Sequence, residues 1–261
     1  MAKIAVLGYG TVGSGVVEVL ETNKNSIEKR AGEGIEVKYV LDLRDFPGDP
    51  IQEKIVHDVD IIIQDKEIDV VVEVMGGIEP AFTFVKKALE AGKSVCTSNK
   101  ALVAEHGPEL LAMAKERSLN FMFEASVGGG IPIIRPLKQS MAGNRISEVM
   151  GIVNGTTNYI LTKMSEKGMD YAEALAQATE LGYAEADPTA DVEGYDAGRK
   201  MAIMASIAFN SRVTFPQVYT EGITKISADD IRYAKEFGYV IKLLGLARNT
   251  PEGIEVKVHP M

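Results

Sequence analysis

The sequence feature that most restricts the fold is a glycine motif close to the start of the chain. Residues 8–13, GYGTVG, have the spacing G-x-G-x-x-G and follow a β-rich run at residues 3–7. Where such a motif joins a strand to a helix, the first glycine permits a tight turn, the second lets the backbone approach a pyrophosphate, and the third lets the helix pack on the strand. The motif predicts dinucleotide binding, with a plain tight turn as the alternative. The predicted contacts are Gly8, Tyr9, Gly10, Thr11, Val12 and Gly13.

The first half of the chain alternates β-rich runs with helical patterns, which is typical of a parallel sheet covered by helices. Strands are predicted at residues 3–7, 35–41, 70–74, 94–97 and 120–125, with a further short strand at 59–63. Helices are predicted at residues 11–30, 80–91 and 108–117, the last two from prolines at first-turn positions. The alternation of strand and helix patterns ends after the glycines at 128–130, so we predict two α/β domains, residues 1–135 and 136–261.

The second part contains helical and strand patterns in a different order. Strands are predicted at residues 147–153 and 254–259, turns at 154–158 and 249–253, and helices at 159–167, 171–181, 191–209 and 228–247. Ser227, with Asp230 three residues later, predicts a capping box at the start of the last helix. The strand at 254–259 is predicted to lie at a sheet edge that lacks its partner.

Composition and charge narrow the class of partner. The chain has 261 residues, of which 46% are hydrophobic, and a net charge of −9, so no global basic field is present to hold nucleic acid. One cysteine and three scattered histidines predict a reducing compartment, the cytoplasm, and no zinc site. The sequence carries no secretory signal pattern and no long apolar run, which predicts no membrane association.

The end of the second predicted strand carries an acid and an arginine. Asp42 follows that strand, and Arg44 comes two residues later. An acid at this position favours NAD by accepting from the ribose hydroxyls, whereas an arginine favours NADP by pairing with the 2′-phosphate. Both signals are present, so NAD and NADP stay open with a preference for NADP. Solvated strand-end charges are the alternative.

Two further predicted strands end in segments that can face a ligand, because ligands of open α/β sheets lie beyond the carboxyl ends of the strands. These segments are residues 75–77, MGG, and residues 97–100, TSNK, which include Ser98 and Lys100. A solvated lysine at a helix start is the alternative for Lys100. Cys96 offers a rival function, the nucleophile of an acylating aldehyde dehydrogenase, but a buried strand position favours core packing.

The segment from residue 124 to residue 132, EASVGGGIP, places a carboxylate at a predicted strand end before a glycine run. Such a turn can direct several backbone carbonyls towards a point beside one carboxylate, which suits a hard cation. A structural loop or a domain hinge is the alternative.

Ionisable residues cluster around the start of the helix predicted at 191–209. Asp196 and Lys200 are one helical turn apart, and a surface pair of this kind contributes only about 0.3–0.5 kcal/mol. The following turns are apolar on every side, which predicts a buried helix with the charged pair at a cleft. Further ionisable residues lie nearby in sequence: Glu185, Asp187, Asp191, Glu193 and Arg199.

The motifs together identify a family resemblance over the whole chain. The segments GYGTVG, EVMGG, TSNKALVAEHG, EASVGGGIPII, GIVNGTTNYILTKM and GYAEADPTADVEGYDAGRK resemble homoserine dehydrogenase. The resemblance implies a Rossmann-type doubly wound parallel sheet followed by a second α/β substrate and dimerisation domain. It further implies NAD(P)-dependent interconversion of L-aspartate 4-semialdehyde and L-homoserine, within threonine and methionine biosynthesis, by a homodimer.

The resemblance also implies roles for individual residues. Lys200 resembles the proton donor to the carbonyl oxygen, and Asp196 and Glu185 resemble acids that bind the substrate. Lys100 resembles the lysine near nicotinamide and substrate, and Ser98 and Gly182 resemble cofactor contacts. Asn154 and Thr156 are expected to line the substrate pocket. A monovalent cation such as Na⁺ is expected at the Glu124 side chain and the carbonyls of Val127, Gly129 and Ile131.

One departure from the family pattern affects the expected activity. Members of the family normally continue beyond a strand such as EVKVHP, and many add a regulatory ACT domain. We therefore expect the sequence to be a fragment. The alternative function is a catalytically weak, truncated module that binds nucleotide and dimerises.

Overall fold

The computed structural model describes residues 1–185 and 187–261. The chain forms two compact units, Met1–Pro132 and Ile133–Met261. Ala186, between Glu185 and Asp187 of the predicted ionisable cluster, lies outside the described residues. The division into functional domains at residues 1–135 and 136–261 stays a prediction. Within the described part of the chain, no helix is both long and apolar enough to cross a membrane.

The first unit is a six-stranded parallel sheet with five α-helices. The strands are β1 (Ala2–Leu7), β2 (Ile35–Leu41), β3 (Ile55–Val56), β4 (Val70–Glu73), β5 (Ser94–Thr97) and β6 (Phe121–Met122). The helices are α1 (Thr11–Thr22), α2 (Lys24–Ala31), α3 (Val59–Gln64), α4 (Ala81–Glu90) and α5 (Lys100–Glu116). The spatial order β3-β2-β1-β4-β5-β6 reverses direction between β1 and β4. This order confirms the Rossmann-type doubly wound sheet.

The core of this unit lies on both faces of β1. Residues 4–7 are buried, and Ile4 and Val6 pack with Val17 of α1 and Val37 of β2. A central strand covered on both faces needs a continuous apolar run, which AKIAVL supplies. The buried strand therefore holds the glycine motif at a fixed point on the sheet's carboxyl edge.

Several predicted boundaries in this unit are wrong. The strand predicted at 59–63 is α3, capped by Asp58, whose side chain accepts from the Asp60 N–H. The helix predicted at 11–30 divides at Asn23, and the strand predicted at 120–125 ends at Met122 because a 3-10 turn begins at Glu124. The helix predicted at 108–117 begins at Lys100 and continues through Pro108.

The described residues of the second unit form a mixed four-stranded sheet and five α-helices. The strands are β7 (Glu148–Gly151), β8 (Tyr219–Thr220), β9 (Leu243–Thr250) and β10 (Gly253–Pro260). The helices are α6 (Gly155–Lys167), α7 (Tyr171–Glu180), α8 (Thr189–Val192), α9 (Tyr195–Ala208) and α10 (Ala228–Glu236). The sheet order is β7-β9-β10-β8, antiparallel except for the pair β10 and β8. A π-helical segment, Pro136–Ser140, precedes β7.

Helix α9 packs against β9 and β10 and is buried as predicted. Residues 201–205, MAIMA, are all buried. A Cβ atom added at Gly245 of β9 would lie 2.5 Å from the Met201 side chain, and one added at Gly198 would lie 2.7 Å from the Phe215 ring. These two glycines permit the close approach that fixes the position of the helix.

Several sequence predictions for the second unit were wrong. The helix predicted at 228–247 ends at Glu236, and residues 243–250 instead form β9, which pairs along its whole length with β10. Strand β10 lies between β9 and β8, so it is not the partnerless edge that we predicted. Helix α6 begins at Gly155, four residues before the predicted start. The capping box of Ser227 and Asp230 is confirmed.

Candidate functional site

The glycine motif forms a tight connection between β1 and α1. Gly8 has a φ of 98°, a left-handed conformation that favours glycine. A Cβ added at Gly13 would lie 1.9 Å from the Gly8 carbonyl oxygen, so only glycine lets the helix approach the strand end this closely. A Cβ at Gly10, immediately before α1, would meet nothing within 4 Å. The backbone at the helix N-terminus is thus open to an anion, as a pyrophosphate requires.

A pocket of about 550 Å³ lies beside this connection, at the carboxyl ends of β1, β2 and β4. It is lined by all three strand ends and the loops that follow them, including Gly8, Tyr9, Gly10, Asp42, Arg44 and Met75. The strand order reverses here, and open α/β sheets bind their ligands at such a point. The residues present therefore fit a dinucleotide.

Asp42 and Arg44 form one hydrogen-bonded unit at the end of the pocket. Arg44 donates from Nε and Nη2 to the two Asp42 carboxylate oxygens, each at 3.0 Å, and the Tyr9 N–H donates to Oδ2 at 2.8 Å. The guanidinium of Arg44, assisted by backbone N–H groups and opposed by burial, lowers the pKa of Asp42 well below its usual range. Arg44 Nη2 also donates to the Tyr9 carbonyl at 3.1 Å. The side chain of Arg44 remains 62% exposed, so its charge faces the pocket opening.

A buried carboxylate that the sequence analysis missed lies at the end of β4. Glu73 is fully buried, and its Oε2 accepts from the Thr97 hydroxyl at 2.5 Å. Its Oε1 accepts from the Met75 N–H at 2.9 Å and, at 3.5 Å, from Asn99 Nδ2. Asn99 Nδ2 also donates to the Gly77 carbonyl at 2.5 Å. This network joins the two loops that follow β4 and β5.

The second loop leads directly into α5. The Asn99 side chain caps the helix by accepting from the Leu102 N–H at 3.0 Å, and Lys100 is the first helical residue. A cation at a helix N-terminus opposes the helix dipole, so an anionic ligand there would be favoured. Ser98 and Lys100 are half-buried. Burial raises the pKa of the Cys96 thiol, which makes it unsuited to the rival role as a nucleophile.

The four residues predicted to bind a cation lie on one turn-rich segment. Glu124 begins a 3-10 turn, Val127 follows it and is buried, and Gly129 has a φ of 57°. Ile131 is 72% exposed, and its N–H donates to the Gly128 carbonyl at 2.9 Å. Among the described residues, no group of three or more His, Cys, Asp or Glu side chains could hold a metal ion. The cation site, which uses mainly carbonyls, stays a prediction.

The second unit brings Asp196 and Lys200 into direct contact. Lys200 Nζ donates to Asp196 Oδ2 at 2.6 Å and to the Val153 carbonyl at 2.9 Å. Asp196 is 4% exposed and the Lys200 side chain 18% exposed. The pair is therefore largely removed from water, unlike the surface salt bridge that was the simpler interpretation. A buried pair also fixes the lysine nitrogen at a defined position.

Asn154 connects this pair to a second acid. Its Nδ2 donates to Asp196 Oδ2 at 2.9 Å and to Asp191 Oδ1 at 2.7 Å. Its Oδ1 accepts from the Thr157 N–H at 2.9 Å and so caps α6. The cluster formed by Asn154, Asp191, Asp196 and Lys200 thus joins the start of α6 to α8 and the start of α9.

Other residues of the predicted ionisable cluster make contacts away from the Asp196–Lys200 pair. Arg199 stacks over the Phe215 ring at 5.2 Å, and Glu193 accepts from the Thr224 hydroxyl at 3.1 Å. Glu185 is exposed and makes no hydrogen bond or ion pair within residues 1–185 and 187–261. Thr156 donates its hydroxyl to the Tyr183 carbonyl at 2.8 Å, which holds the loop after α7. Gly182, in that loop, has a φ of 74°.

These observations define the class of protein: a dinucleotide-binding Rossmann sheet joined to a separate α/β unit that carries a buried lysine–aspartate pair. Two family models match the chain in sequence, "Homoserine dehydrogenase, NAD binding domain" over residues 8–124 and "Homoserine dehydrogenase" over residues 132–261. The chain belongs to the homoserine dehydrogenase family, as the sequence motifs predicted.

Individual relatives agree with the family models. Homoserine dehydrogenase of Pseudomonas aeruginosa is 49% identical over 99% of this chain and 60% of its own length. The crystal structure of a homoserine dehydrogenase from Thiobacillus denitrificans matches with a TM-score of 0.96 and 44% identity, over 100% of this chain and 61% of that one. A hyperthermophilic archaeal homoserine dehydrogenase in complex with NADPH matches with a TM-score of 0.83 and 26% identity, over 100% of this chain and 81% of that one. The chain thus spans about 60% of the length of its curated relatives.

Proposed function

We propose that the chain is an oxidoreductase that interconverts L-aspartate 4-semialdehyde and L-homoserine with NAD(P), a step in threonine and methionine biosynthesis. The observation that carries this proposal is the buried contact of Lys200 with Asp196 in the unit that the "Homoserine dehydrogenase" model matches. A positioned lysine is a suitable proton donor to a carbonyl oxygen, and general acid catalysis of this kind typically contributes about 10²–10⁴-fold.

The geometry supports Lys200 as the proton donor. An ammonium group has three N–H donors, and two of those of Lys200 point to Asp196 and to the Val153 carbonyl. The third can donate to the aldehyde oxygen, transfer its proton as the alkoxide forms, and take it back in the oxidation direction. The bound nicotinamide supplies the hydride in reduction and accepts it in oxidation. The two fixed contacts hold the nitrogen in place during the reaction, which is the condition for efficient transfer.

Neighbouring groups are suited to orient the amino acid end of the substrate. Asp196 and Asp191 both bind the Asn154 amide, so the three side chains form a rigid polar wall beside Lys200. Glu185 is exposed and is proposed to bind the substrate ammonium group. Thr156 is proposed to line the same pocket, and its bond to the Tyr183 carbonyl supports the loop that carries Gly182 and Glu185.

We propose NADP as the preferred cofactor. Both Asp42 oxygens already accept from protein donors, so this carboxylate is poorly placed to bind the ribose hydroxyls of NAD. Arg44 Nη1 makes no hydrogen bond within the described residues and can pair with a 2′-phosphate. Ser98, Lys100 and Gly182 are proposed as further cofactor contacts. The NADPH complex of the archaeal relative supports this preference.

Three further features belong to the proposal. The Glu124 side chain and the carbonyls of Val127, Gly129 and Ile131 are proposed to bind a monovalent cation such as Na⁺. The protein is proposed to be a cytoplasmic homodimer. Exposed apolar side chains at the sheet edge formed by β7, where Met150 is 58% exposed, support a protein interface.

The test is a homoserine oxidation assay at alkaline pH, run separately with NAD and NADP and followed by cofactor absorbance. We expect turnover with both and a higher kcat/KM with NADP. Replacing Lys200 with alanine should lower kcat by about 100-fold or more, because the proton acceptor in this direction is lost. Affinity for NADPH, measured by fluorescence titration, should change by less than about threefold because the glycine motif is unaffected.

Lys225→Ala provides the matched control, because Lys225 is exposed in the same unit and is remote in sequence from the pair. It should retain full turnover. NADPH binding without turnover of either cofactor by the unmodified chain would instead support the alternative, a nucleotide-binding and dimerisation module. Near-normal kcat in Lys200→Ala would remove Lys200 from its proposed role.

A further inference from the structure

Three charged side chains are buried in the described part of the chain: Asp196, Lys93 and Glu73. Asp196 belongs to the site described above. Lys93 is 3% exposed at the amino end of β5, where Nζ donates to the carbonyls of Asp65 at 2.6 Å and Ile68 at 3.2 Å. Glu73 lies at the opposite, carboxyl end of the adjacent strand β4, and neither the fold nor the proposed chemistry yet accounts for it. Burying a carboxylate is costly unless it is fully hydrogen-bonded.

The donors to Glu73 are all neutral, and they come from two different loops. The Met75 N–H belongs to the loop that lines the nucleotide pocket, whereas Thr97 and Asn99 belong to the loop that starts α5. The Asn99 N–H donates in turn to the Thr97 hydroxyl oxygen at 2.9 Å. One carboxylate thus fixes the separation of the two loops at the edge of the sheet where ligands bind.

We propose that Glu73 is a positioning residue that holds the start of α5, and with it Ser98 and Lys100, in the geometry required for turnover. This inference rests on the function proposed above. Lys100 follows Asn99 directly, so a shift of the Thr97–Asn99 backbone moves the lysine by a comparable distance. A displacement of about 1 Å in a catalytic arrangement can lower turnover by about 100-fold.

The direction of the hydrogen bonds makes the carboxylate essential. The Thr97 hydroxyl oxygen accepts from the Asn99 N–H and donates its proton to Glu73 Oε2, which as a carboxylate oxygen can only accept. A glutamine can keep an oxygen on the Met75 N–H, but its NH₂ then faces the Thr97 hydroxyl as a second donor. Glu73→Gln therefore keeps the size and the pocket loop while it disrupts the link to α5.

The experiment compares Glu73→Gln and Thr97→Val with Thr97→Ser and with Lys93→Met. Lys93→Met removes a buried charge at the opposite end of the same sheet and so reports the effect of lost stability alone. At a temperature well below unfolding of every variant, Glu73→Gln and Thr97→Val should lower kcat for homoserine oxidation by about tenfold or more. Thr97→Ser, which keeps the hydroxyl, and Lys93→Met should remain within about threefold of the unmodified chain. Because Ser98 and Lys100 are proposed cofactor contacts, affinity for NADPH should fall by no more than about tenfold in Glu73→Gln and Thr97→Val, since the glycine motif and Arg44 are unchanged. It should stay within about threefold in Thr97→Ser and Lys93→Met.

Amide hydrogen exchange gives a second measurement that does not depend on turnover. Exchange across residues 97–103 should become about tenfold faster in Glu73→Gln and Thr97→Val but not in Lys93→Met. Unchanged protection of this segment in Glu73→Gln would overturn the positioning role whether or not the chain oxidises homoserine. Equal losses of kcat in Glu73→Gln and Lys93→Met would show that Glu73 affects turnover only through stability, which would contradict the positioning role. Absence of turnover in the unmodified chain, together with altered exchange, would refute the proposed function and leave the loop contact in place.

Discussion

At the scale of single residues, Asp42 serves the fold and the cofactor pocket together. Its carboxylate oxygens accept hydrogen bonds from the Tyr9 N–H of the glycine motif and from the N–H and guanidinium of Arg44 in its own loop. The carboxylate therefore holds the first turn of the pocket closed and keeps Arg44 at its rim. The same contacts lower the pKa of Asp42, so the protein's stability should depend on its charge.

Loss of this charge should destabilise the protein in acid. Arg44 lowers the pKa of Asp42 in the folded state. The Asp42 carboxylate therefore makes its full contribution to the free energy of unfolding at pH values well above the usual aspartate pKa, near 3.9. The contribution is lost as the pH falls below about 5 towards the lower folded-state pKa. Asp42→Asn should cost about 1–3 kcal/mol at pH 7, the usual scale for hydrogen bonds to a charged group. Urea unfolding from pH 7 to pH 2.5 should show this difference shrinking.

Glu53→Gln is the control for this titration, because Glu53 is an exposed carboxylate in the same unit. Its unfolding free energy should follow that of the unmodified chain at every pH. A difference between Asp42→Asn and the unmodified chain that is constant over the whole range would show that the carboxyl group does not titrate differently in the folded state.

The two acids at strand ends differ in how readily the sequence reveals them. Asp42 is predictable because its position after β2 matches a known pattern of dinucleotide sites. Glu73 ends β4 in the sequence VVVE, which equally suits a solvated strand end. Its burial depends on Thr97, 24 residues later in the chain, and only the folded sheet brings β4 and β5 side by side.

At the scale of secondary structure elements, both functional loops end at a capped helix that the sequence analysis placed too late. Asn99 and Asn154 each accept from the N–H three residues on, and α5 and α6 begin directly after them. Asparagine is a favoured N-cap residue, so this signal was present in the sequence. By contrast, Gly238 and Gly245 were weak signals against a helix that continues to residue 247, and pairing with β10 makes residues 243–250 a strand.

The junction of β1 and α1 can be tested with two glycines of one helix. A Cβ at Gly13 would lie 1.9 Å from the Gly8 oxygen, whereas one at Gly15 would meet nothing within 4 Å. Gly13→Ala should destabilise the protein by about 1–3 kcal/mol, because the helix must move off the strand, and should weaken NADPH binding by about tenfold or more. Gly15→Ala should be neutral or stabilising by up to about 1 kcal/mol.

Urea unfolding and NADPH fluorescence titration measure the two effects on the same samples. Gly15→Ala acts as the control for added helix propensity, since both substitutions make the same chemical change in α1. Equal affinity for NADPH in the two variants would mean that close packing at Gly13 has no part in shaping the cofactor site.

At the scale of the whole molecule, each unit has its own sheet and its own part of the proposed chemistry. The glycine motif, Asp42, Arg44 and the pocket belong to Met1–Pro132, and the buried pair of Asp196 and Lys200 belongs to Ile133–Met261. The separate family models for residues 8–124 and 132–261 agree with this division. The sequence revealed two units through a change in the order of strand and helix patterns, but not the mixed sheet of the second unit. The β9–β10 hairpin was missed because residues 228–247 were assigned to one helix, and β7 and β8 pair with strands far along the chain.

A fragment of residues 1–132 should therefore fold alone and bind NADPH. Its length is within the range of independent domains, about 50–250 residues, and its strand β1 packs in a buried apolar cluster with α1 and β2. Circular dichroism should show cooperative melting, and fluorescence titration should give an affinity no more than about tenfold below that of the 261-residue chain, since one proposed contact, Gly182, is missing. The fragment should not oxidise homoserine, because it lacks Lys200. A fragment that melts cooperatively but does not bind NADPH would show that the cofactor site needs more of the second unit than Gly182.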